Sequence, residues 1–391
     1  MRRMNFRGAV RFWSRHLFLL NLTLAALVWL LYGSLSLHGH GSDYWARATD
    51  LFLRREPHRY DASPGIENVL LPALAASVAK VSNAVGLPFT ETSFVLLAAI
   101  PYALFIIGVA RAVRLQGGSP VLSLAAAAAL YGTGMVPYMT SWGGYNDGLN
   151  YLLLLPVFVW PESLAVYAIA FVLQCLTHYL GALTLLLFAF VWHSLRALDR
   201  VPAGPAAAWR YWARSFVPRA ILSVAIAAAF LWFWRGSYPD ASQARQVIAA
   251  VKWQDPAAVL EEVLAPFPFT VLSALKLGII PVVALMCARL PQRRLRAAVI
   301  ATPLVMAAAL TFVWVDITRV ATMLVMPVLL VTLHAAAARS PLAPPDRRRL
   351  RRIVFATSLA GLLVPNYYVN NGEILVPPSH AIRTALAWFA G

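Results

Sequence analysis

Six ionisable side chains lie within or at the ends of long apolar stretches of this sequence. A charged group in hydrocarbon is costly and is normally retained because it serves a function. These residues are Asp43, Asp147, His178, Lys276, Asp316 and Arg319. Carboxylates can accept a proton from a hydroxyl group, while arginine, lysine and histidine can bind a phosphate. The six residues are therefore the candidates for substrate binding and catalysis.

Asp43 follows the first apolar stretch, in HGHGSDYWARATDLF. Its carboxylate is placed to act as a general base on an acceptor hydroxyl or to bind a metal. Equally, it is placed to cap a helix formed by YWARATDLF, because Asp is a preferred N-cap residue. His38 and His40 precede it at a spacing that allows metal ligation, although two exposed loop histidines are the simpler interpretation. The sequence leaves the cofactor unknown and allows a divalent metal.

Asp147 lies in SWGGYNDGLNYLLLLP, where the glycines and Asn146 indicate a turn that leads into the membrane. It could bind substrate or cap the following helix. His178, in CLTHYLGAL, separates two short apolar stretches; it is either a hydrogen-bonded core residue or a donor to a phosphate. Lys276 lies deeper in its stretch and could extend its ammonium group outward.

Asp316 and Arg319, in VWVDITRVATM, are three residues apart and share one face of a helix. One interpretation is a local ion pair. The alternative is that Arg319 binds a phosphate with its planar guanidinium while Asp316 orients it. The functional interpretation is favoured, because an isolated ion pair at the end of a span has no evident structural purpose.

The composition predicts the elements that position these residues. Of 391 residues, 60% are hydrophobic and only 13% charged, whereas soluble proteins have about 25% charged residues. The apolar residues form continuous blocks long enough to cross about 30 Å of hydrocarbon as helices, which disfavours a β-barrel. The net charge of +17 lies in short arginine clusters and does not indicate a nucleic-acid groove. Cys175 and Cys287 are interpreted as small core residues.

The predicted fold is all-α: a polytopic bundle of about eleven transmembrane helices that forms one domain over residues 1–391. The extracytoplasmic segments are 38–91 and 235–269. Residues 66–85 are excluded from the spans, because their Leu and Val residues form a stripe opposite polar side chains and suit a helix on the membrane surface. The stripe is Leu71, Leu74, Val78, Val81 and Val85. The spans are 17–37, 92–112, 119–137, 147–160, 163–178, 180–195, 217–235, 269–289, 297–315, 318–337 and 353–369.

The distribution of charge predicts the orientation of the bundle. With these spans, 22 arginines and only three acidic residues fall on one side of the membrane, while 11 basic and 13 acidic residues remain for the rest of the chain. The positive-inside rule assigns the arginine-rich side to the cytoplasm, together with the amino terminus. All six candidate residues except Lys276 then lie near the outer ends of their spans. This convergence predicts a site at the extracytoplasmic face of a bacterial inner membrane.

Three passages resemble the GT-C superfamily of polyprenyl-phosphate-sugar-dependent glycosyltransferases. SDYWARATDLF is similar to the family's acidic motif after the first span. HRYDASPGIENVLLPALAASVAKVSNAVGL is similar to its Pro-rich approach to a surface helix and the Gly at which that helix ends. The third passage is the trio of short spans around CLTHYL. Together they cover about the first half of the chain. Where many members have an acid pair, this chain has Asp43 followed by Tyr44, which weakens a metal-binding role more than a role as base.

The resemblance implies a membrane glycosyltransferase that moves a sugar from a polyprenyl-phosphate donor to the hydroxyl of a glycan or a lipid-linked acceptor. Asp43 would be the catalytic base, and Arg319, Lys276 and His178 would be the cations that stabilise the leaving phosphate. Two alternatives remain. Arg54, Arg55 and Arg59 keep open an O-antigen-type polysaccharide polymerase. A non-enzymatic transporter of lipid-linked sugars is disfavoured, because the sequence lacks repeat symmetry and midplane polar groups.

Overall fold

The protein is described by a computed structural model of the 391-residue chain. The structure describes residues 19, 23, 40–53, 69–136, 146–237, 255–288, 292–311, 317–337, 342, 344–364, 368–370 and 373–375. Within these residues the chain is helical apart from two strands of three residues each. Five helical segments are long and apolar enough to cross a membrane. The prediction of a helical membrane protein is therefore supported.

The helices before residue 200 are α1 (His40–Leu53), α2 (Leu70–Ala84), α3 (Glu91–Leu115), α4 (Pro120–Tyr131), α5 (Asp147–Val159), α6 (Leu164–Thr177) and α7 (Tyr179–Leu198). After it come α8 (Pro205–Ser215), α9 (Val217–Ser237), α10 (Pro256–Leu264), α11 (Phe267–Leu275), α12 (Ile279–Met286), α13 (Arg293–Thr311), α14 (Ile317–Ala336) and α15 (Pro344–Leu363). Strands β1 (Tyr368–Asn370) and β2 (Glu373–Leu375) pair in antiparallel orientation.

Local sequence explains where several helices begin. Thr90 and Ser93 form a capping box at the start of α3, each side chain accepting the other's backbone N–H at 3.3 Å. Asp255 caps α10 as its sequence predicts, with Oδ1 accepting two backbone N–H groups at 3.0 Å and Pro256 in the first helical position. These signals fix the starts of helices, but they do not determine how the helices pack.

Helix α14 is the centre of the bundle. Every one of its residues except His334 is buried, and it packs against α7, α11 and α13. A helix apolar on all sides is expected in the interior of a bundle. Because α14 carries Arg319 in its first turn, that guanidinium lies where neighbouring helices meet.

The predicted count of eleven spans is not reproduced in the described part of the chain. The segments that qualify by length and apolarity are Glu91–Leu115, Tyr179–Leu198, Pro205–Phe233, Phe267–Met286 and Ile317–Ala336. Helices α4, α5 and α6, on which spans were predicted, have only 12, 13 and 14 residues. Except for residues 19 and 23, the predicted span 17–37 lies outside the described residues.

One boundary and one cysteine assignment were predicted wrongly. The final helix ends at Leu363, so the predicted span 353–369 runs too far and into β1. The helix begins at Pro344, and the arginines of residues 347–352 therefore lie in its first turns. Cys175 is buried as expected, but Cys287 is exposed just after α12 and is not a core residue.

Helix α2 contacts the bundle through its small residues. Its buried positions include Leu71, Ala75 and Ala79, whereas Leu74 is 38% exposed and Val81 67% exposed. Most of the predicted Leu and Val stripe therefore faces away from the protein. Alanine allows closer approach of a neighbouring helix backbone, which explains why this face is the one that packs.

Candidate polar site at one end of the bundle

The helices bring two different sets of polar residues to opposite ends of the bundle. At one end lie the first residues of α5, α7 and α14 and the last residue of α6, including Asp147, Thr177 and Arg319. At the other end, the last turns of α7 and α14 bring Arg196 to His334, and Arg296 at the start of α13 binds Asp199. The two sets belong to opposite ends of the same helices.

Arg319 forms a two-point ion pair with Asp147, 172 positions earlier in the chain. Nε of Arg319 donates to Oδ2 of Asp147 at 2.6 Å, and Nη2 donates to Oδ1 at 2.7 Å. The Asp147 side chain is 1% exposed and the Arg319 side chain 10%. Paired contacts of this kind fix the plane of a guanidinium as well as its position. Arg319 is thus held in a defined orientation and remains the more accessible partner.

Asn146 connects this ion pair to a third helix. Its Nδ2 donates to the backbone oxygen of Thr177 at 2.5 Å, and its Oδ1 accepts a longer contact of 3.4 Å from Nη2 of Arg319. Thr177 is the last residue of α6, where a backbone carbonyl lacks a helical partner. The side chain of Asn146 therefore ties the ends of α5, α6 and α14 together.

Two buried amides continue the polar cluster inward. Nδ2 of Asn150 donates to Oδ1 of Asp147 at 3.4 Å, and Nε2 of Gln174 donates to the backbone oxygen of Asn150 at 2.7 Å. The side-chain oxygens of Asn150 and Gln174 accept no hydrogen bond from the described part of the chain, although the residues are 2% and 1% exposed. Both oxygens approach Gly181 instead.

Gly181 permits this approach because it has no Cβ. An alanine Cβ at this position would lie 2.0 Å from Oε1 of Gln174 and 2.4 Å from Oδ1 of Asn150. The glycine Cα–H groups are weak donors to oxygen, so the approach gives both amide oxygens a weak contact. A small residue is thus required where α7 passes the cluster.

His178 and Lys276 take different positions relative to this cluster. His178 is buried between α6 and α7, as the sequence predicts, and its Nδ1 accepts the backbone N–H of Leu180 at 3.1 Å. It follows Thr177 directly and so lies beside the carbonyl that binds Asn146. The imidazole therefore acts as a helix cap at the edge of the site.

Lys276 interrupts its predicted span instead of extending outward from it. It has φ +46° and begins a short 3-10 turn, Lys276–Gly278, between α11 and α12. Its Nζ donates to the backbone oxygen of Val364 at 2.8 Å, just after α15. Lys276 is only 4% exposed, and its ammonium group satisfies a backbone carbonyl near the end of α15.

Asp43 lies on a helix that packs close to the cluster. Helix α1 begins at His40, so Asp43 is inside its first turn and is not the N-cap that one interpretation of the sequence required. The adjacent Tyr44 is buried in an apolar group with Leu71 and Leu149. Tyr179 lies near both Tyr44 and Arg319. The backbone of Asp43 therefore neighbours the Arg319 region.

Of the six candidate residues, the side chain of Asp43 and the whole of Asp316 fall beyond what the structure describes, as do His38, Arg54, Arg55 and Arg59. Within the described part of the chain, Asp147 is a carboxylate that orients Arg319. Among the described residues, no group of three His, Cys, Asp or Glu side chains is arranged to hold a metal.

The neutral polar residues of the cluster were not among the predicted site residues. Asn146, Asn150 and Gln174 all lie in or beside apolar helices and are buried. An amide side chain within an apolar stretch was the available signal, because an amide in hydrocarbon also needs hydrogen-bond partners. By that criterion Asn150 in YNDGLNYL and Gln174 in LQCLTHYL are candidates.

Comparisons of the chain with protein-family models, with curated proteins and with solved structures found no match.

Proposed function

We propose that this chain is a GT-C-like membrane glycosyltransferase of about eleven spans. It transfers a sugar from a polyprenyl-phosphate donor to an acceptor hydroxyl at the extracytoplasmic face of a bacterial inner membrane. Arg319 binds the phosphate of the donor, and Asp43 is the catalytic base. The amino terminus is cytoplasmic. The observation that carries this proposal is the oriented Arg319–Asp147 pair at one end of the bundle.

The ion pair is better explained by binding than by stability. Burying a carboxylate and a guanidinium costs desolvation energy that their attraction often only offsets. An apolar pair would pack the same helices without that cost. A guanidinium held at two of its nitrogens is, however, preorganised to meet the oxygens of a phosphate. The pair is thus suited to orient a cation for an anionic substrate.

The opposite ends of the bundle support the proposed orientation. Arg196, Arg296 and Arg351 lie at the end away from Arg319, where Arg351 donates to the backbone oxygen of Ala336 at 2.6 Å. The positive-inside rule then directs the arginine-rich end to the cytoplasm. Arg319 and Asp147 consequently face the outside, where acceptor glycans are available.

The proposed reaction is a displacement at the anomeric carbon of the donor sugar. Asp43 takes the proton of the acceptor hydroxyl while the hydroxyl oxygen attacks that carbon. The bond between the carbon and the phosphate oxygen breaks, and polyprenyl phosphate leaves with its added negative charge. Arg319 stabilises this charge, with His178 beside it. The sugar is transferred with all of its atoms and is joined to the acceptor oxygen by the new glycosidic bond.

Asp43→Asn tests the role of the base. A strain that lacks the chain is complemented with wild type, with Asp43→Asn or with Glu91→Gln, an exposed carboxylate at the start of α3 that serves as the control. Lipid-linked sugars and envelope glycans are then analysed by mass spectrometry. Asp43→Asn is expected to reach normal protein levels, to accumulate the lipid-linked donor and to lose the transferred sugar.

Unchanged glycan output from Asp43→Asn, at equal protein levels, would remove Asp43 from the mechanism. The strain that lacks the chain distinguishes a glycosyltransferase from the two alternatives, a polymerase and a transporter. Glycans that contain single repeat units in place of long chains would indicate a polymerase. Lipid-linked sugar retained on the inner face of the membrane would indicate a transporter.

A further inference from the structure

A cavity at the arginine-rich end of the bundle carries a second inference, independent of the proposed reaction. It lies between α7, α12, α13 and α14 and has a volume of about 50 Å³. By the same measure one water molecule takes roughly 10–15 Å³. The cavity therefore admits a group of a few heavy atoms, such as a phosphate, but not an acyl chain.

The charged residues that line the cavity within the described part of the chain include one more positive than negative group. Two arginines line it, Arg196 and Arg296, together with a single carboxylate, Asp199. Asp199 is committed to Arg296, whose Nη2 donates to its Oδ1 at 2.6 Å. Among the described residues, no carboxylate is hydrogen-bonded to or paired with Arg196, whose guanidinium lies 5.1 Å from the centre of the Trp192 ring. An anion in the cavity would complete the charge balance.

The histidine in the cavity wall fixes the guanidinium of Arg196 without neutralising it. His334 Nδ1 lies 2.8 Å from Oε1 of Gln116, and its Nε2 lies 3.4 Å from Nη2 of Arg196. An amide oxygen can only accept, so Nδ1 carries the proton and Nε2 accepts from the arginine. The imidazole is then neutral, and Arg196 keeps its charge and a defined position.

The remaining walls of the cavity are apolar. They include Leu195, Leu285 and Ile300, from three different helices. Beyond the cavity, Leu295 and Val305 of α13 are exposed at 54% and 65%, as expected for side chains that face lipid. A free phosphate ion gains no stabilisation from contact with such apolar side chains, whereas the acyl chains of a lipid do.

We propose that this cavity binds the headgroup phosphate of an anionic phospholipid from the adjacent membrane leaflet, with its acyl chains along the apolar surface of α13. Arg196 is the main contact and Arg296 the second. Basic cavities between membrane helices are suited to such headgroups, because charge and apolar surface meet there. The lipid holds the ends of α7, α13 and α14 together.

Native mass spectrometry of the purified full-length chain in detergent tests this inference. The protein is titrated with phosphatidylglycerol, with zwitterionic phosphatidylcholine or with inorganic phosphate. We expect one phosphatidylglycerol molecule to bind at least about tenfold more tightly than phosphatidylcholine, and inorganic phosphate not to displace it. Equal binding of both lipids, or displacement by inorganic phosphate, would overturn the proposal.

Three variants locate the site. Arg196→Gln is expected to weaken phosphatidylglycerol binding about tenfold or more, because a charge-assisted contact is lost. Arg214→Gln removes the same charge from an exposed position in α8 and should leave binding unchanged. Ala335→Leu fills part of the cavity without a change of charge and should also reduce binding. If Arg196→Gln fails to fold, Ala335→Leu alone tests the location of the site. Wild-type affinity for phosphatidylglycerol in Ala335→Leu, or a loss of affinity in Arg214→Gln equal to that in Arg196→Gln, refutes the site.

Discussion

Breaking the Asp147–Arg319 pair from one side should destabilise the protein far more than replacing both residues. Asp147→Asn leaves a guanidinium in a buried position without its counter-charge, and Arg319→Met leaves the carboxylate in the same situation. The double variant leaves no uncompensated charge. The three variants form a cycle that separates the energy of the pair from that of each residue.

The burial of the pair sets the expected magnitude. The side chains are 1% and 10% exposed, and the pair is joined by contacts of 2.6 and 2.7 Å. Arg319→Met removes both contacts, whereas Asp147→Asn removes the charge and one of the two acceptor oxygens. Removing one partner of such a pair costs about 3–5 kcal/mol, whereas replacing both is often close to neutral. We therefore expect a coupling energy of about 3 kcal/mol or more. Asp199→Asn, in the more exposed pair with Arg296, should cost about 1–2 kcal/mol.

Unfolding in mixed detergent micelles, followed by tryptophan fluorescence and circular dichroism, measures these free energies. Glycan output of cells that carry each variant reports function. The double variant is expected to be folded but inactive, because it lacks the cation for the phosphate. Additive single effects would refute the energetic coupling of the pair. A double variant with full activity would show that the pair is only structural and that Arg319 does not bind the substrate.

Two further substitutions, each with a control, test local features. Gly181→Ala should destabilise the protein by about 2–4 kcal/mol, since the new Cβ would displace two buried amides. The control is Gly278→Ala, whose Cβ would meet nothing closer than 3.8 Å and which should have little effect in the same unfolding assay. Asp255→Ala should destabilise α10 by about 1 kcal/mol through loss of its cap, whereas Glu261→Ala in the middle of that helix should not. Amide hydrogen exchange in α10 measures the effect, and equal rates for wild type and Asp255→Ala would contradict a stabilising cap.

Local patterns predict the long helices and their starts well. Residues 92–112 and 180–195 were predicted as spans, and the structure has α3 at Glu91–Leu115 and α7 at Tyr179–Leu198. Apolar length and capping residues are properties of contiguous sequence, so they can be read directly. The charge pattern also anticipates that Arg196 and Arg296 share one end of the bundle.

Contacts between distant segments are not encoded in such patterns. Nothing in the sequence links Arg319 to Asp147, 172 positions earlier, although the two form an ion pair; Asp316, the neighbour suggested by spacing, lies outside the described residues. Helix α2 illustrates the same limit: its Leu and Val stripe predicted a helix on the membrane surface, but no pattern in the sequence indicated that its alanines make the close approach to the bundle. Which face packs depends on the neighbouring helix, which one helix's sequence does not contain.

Helix α4 has a consequence for biosynthesis. It has 12 residues, a length of about 18 Å that is too short to cross the hydrocarbon alone. Its alanine-rich surface packs against α3 and against α15, yet α15 begins only at Pro344. At a synthesis rate of roughly 5–20 residues per second, α4 precedes its partner by about 10–40 s. Because the Ser123 hydroxyl donates to the backbone oxygen of Ala110 in α3, α3 and α4 can form a hairpin in the membrane before α15 is synthesised.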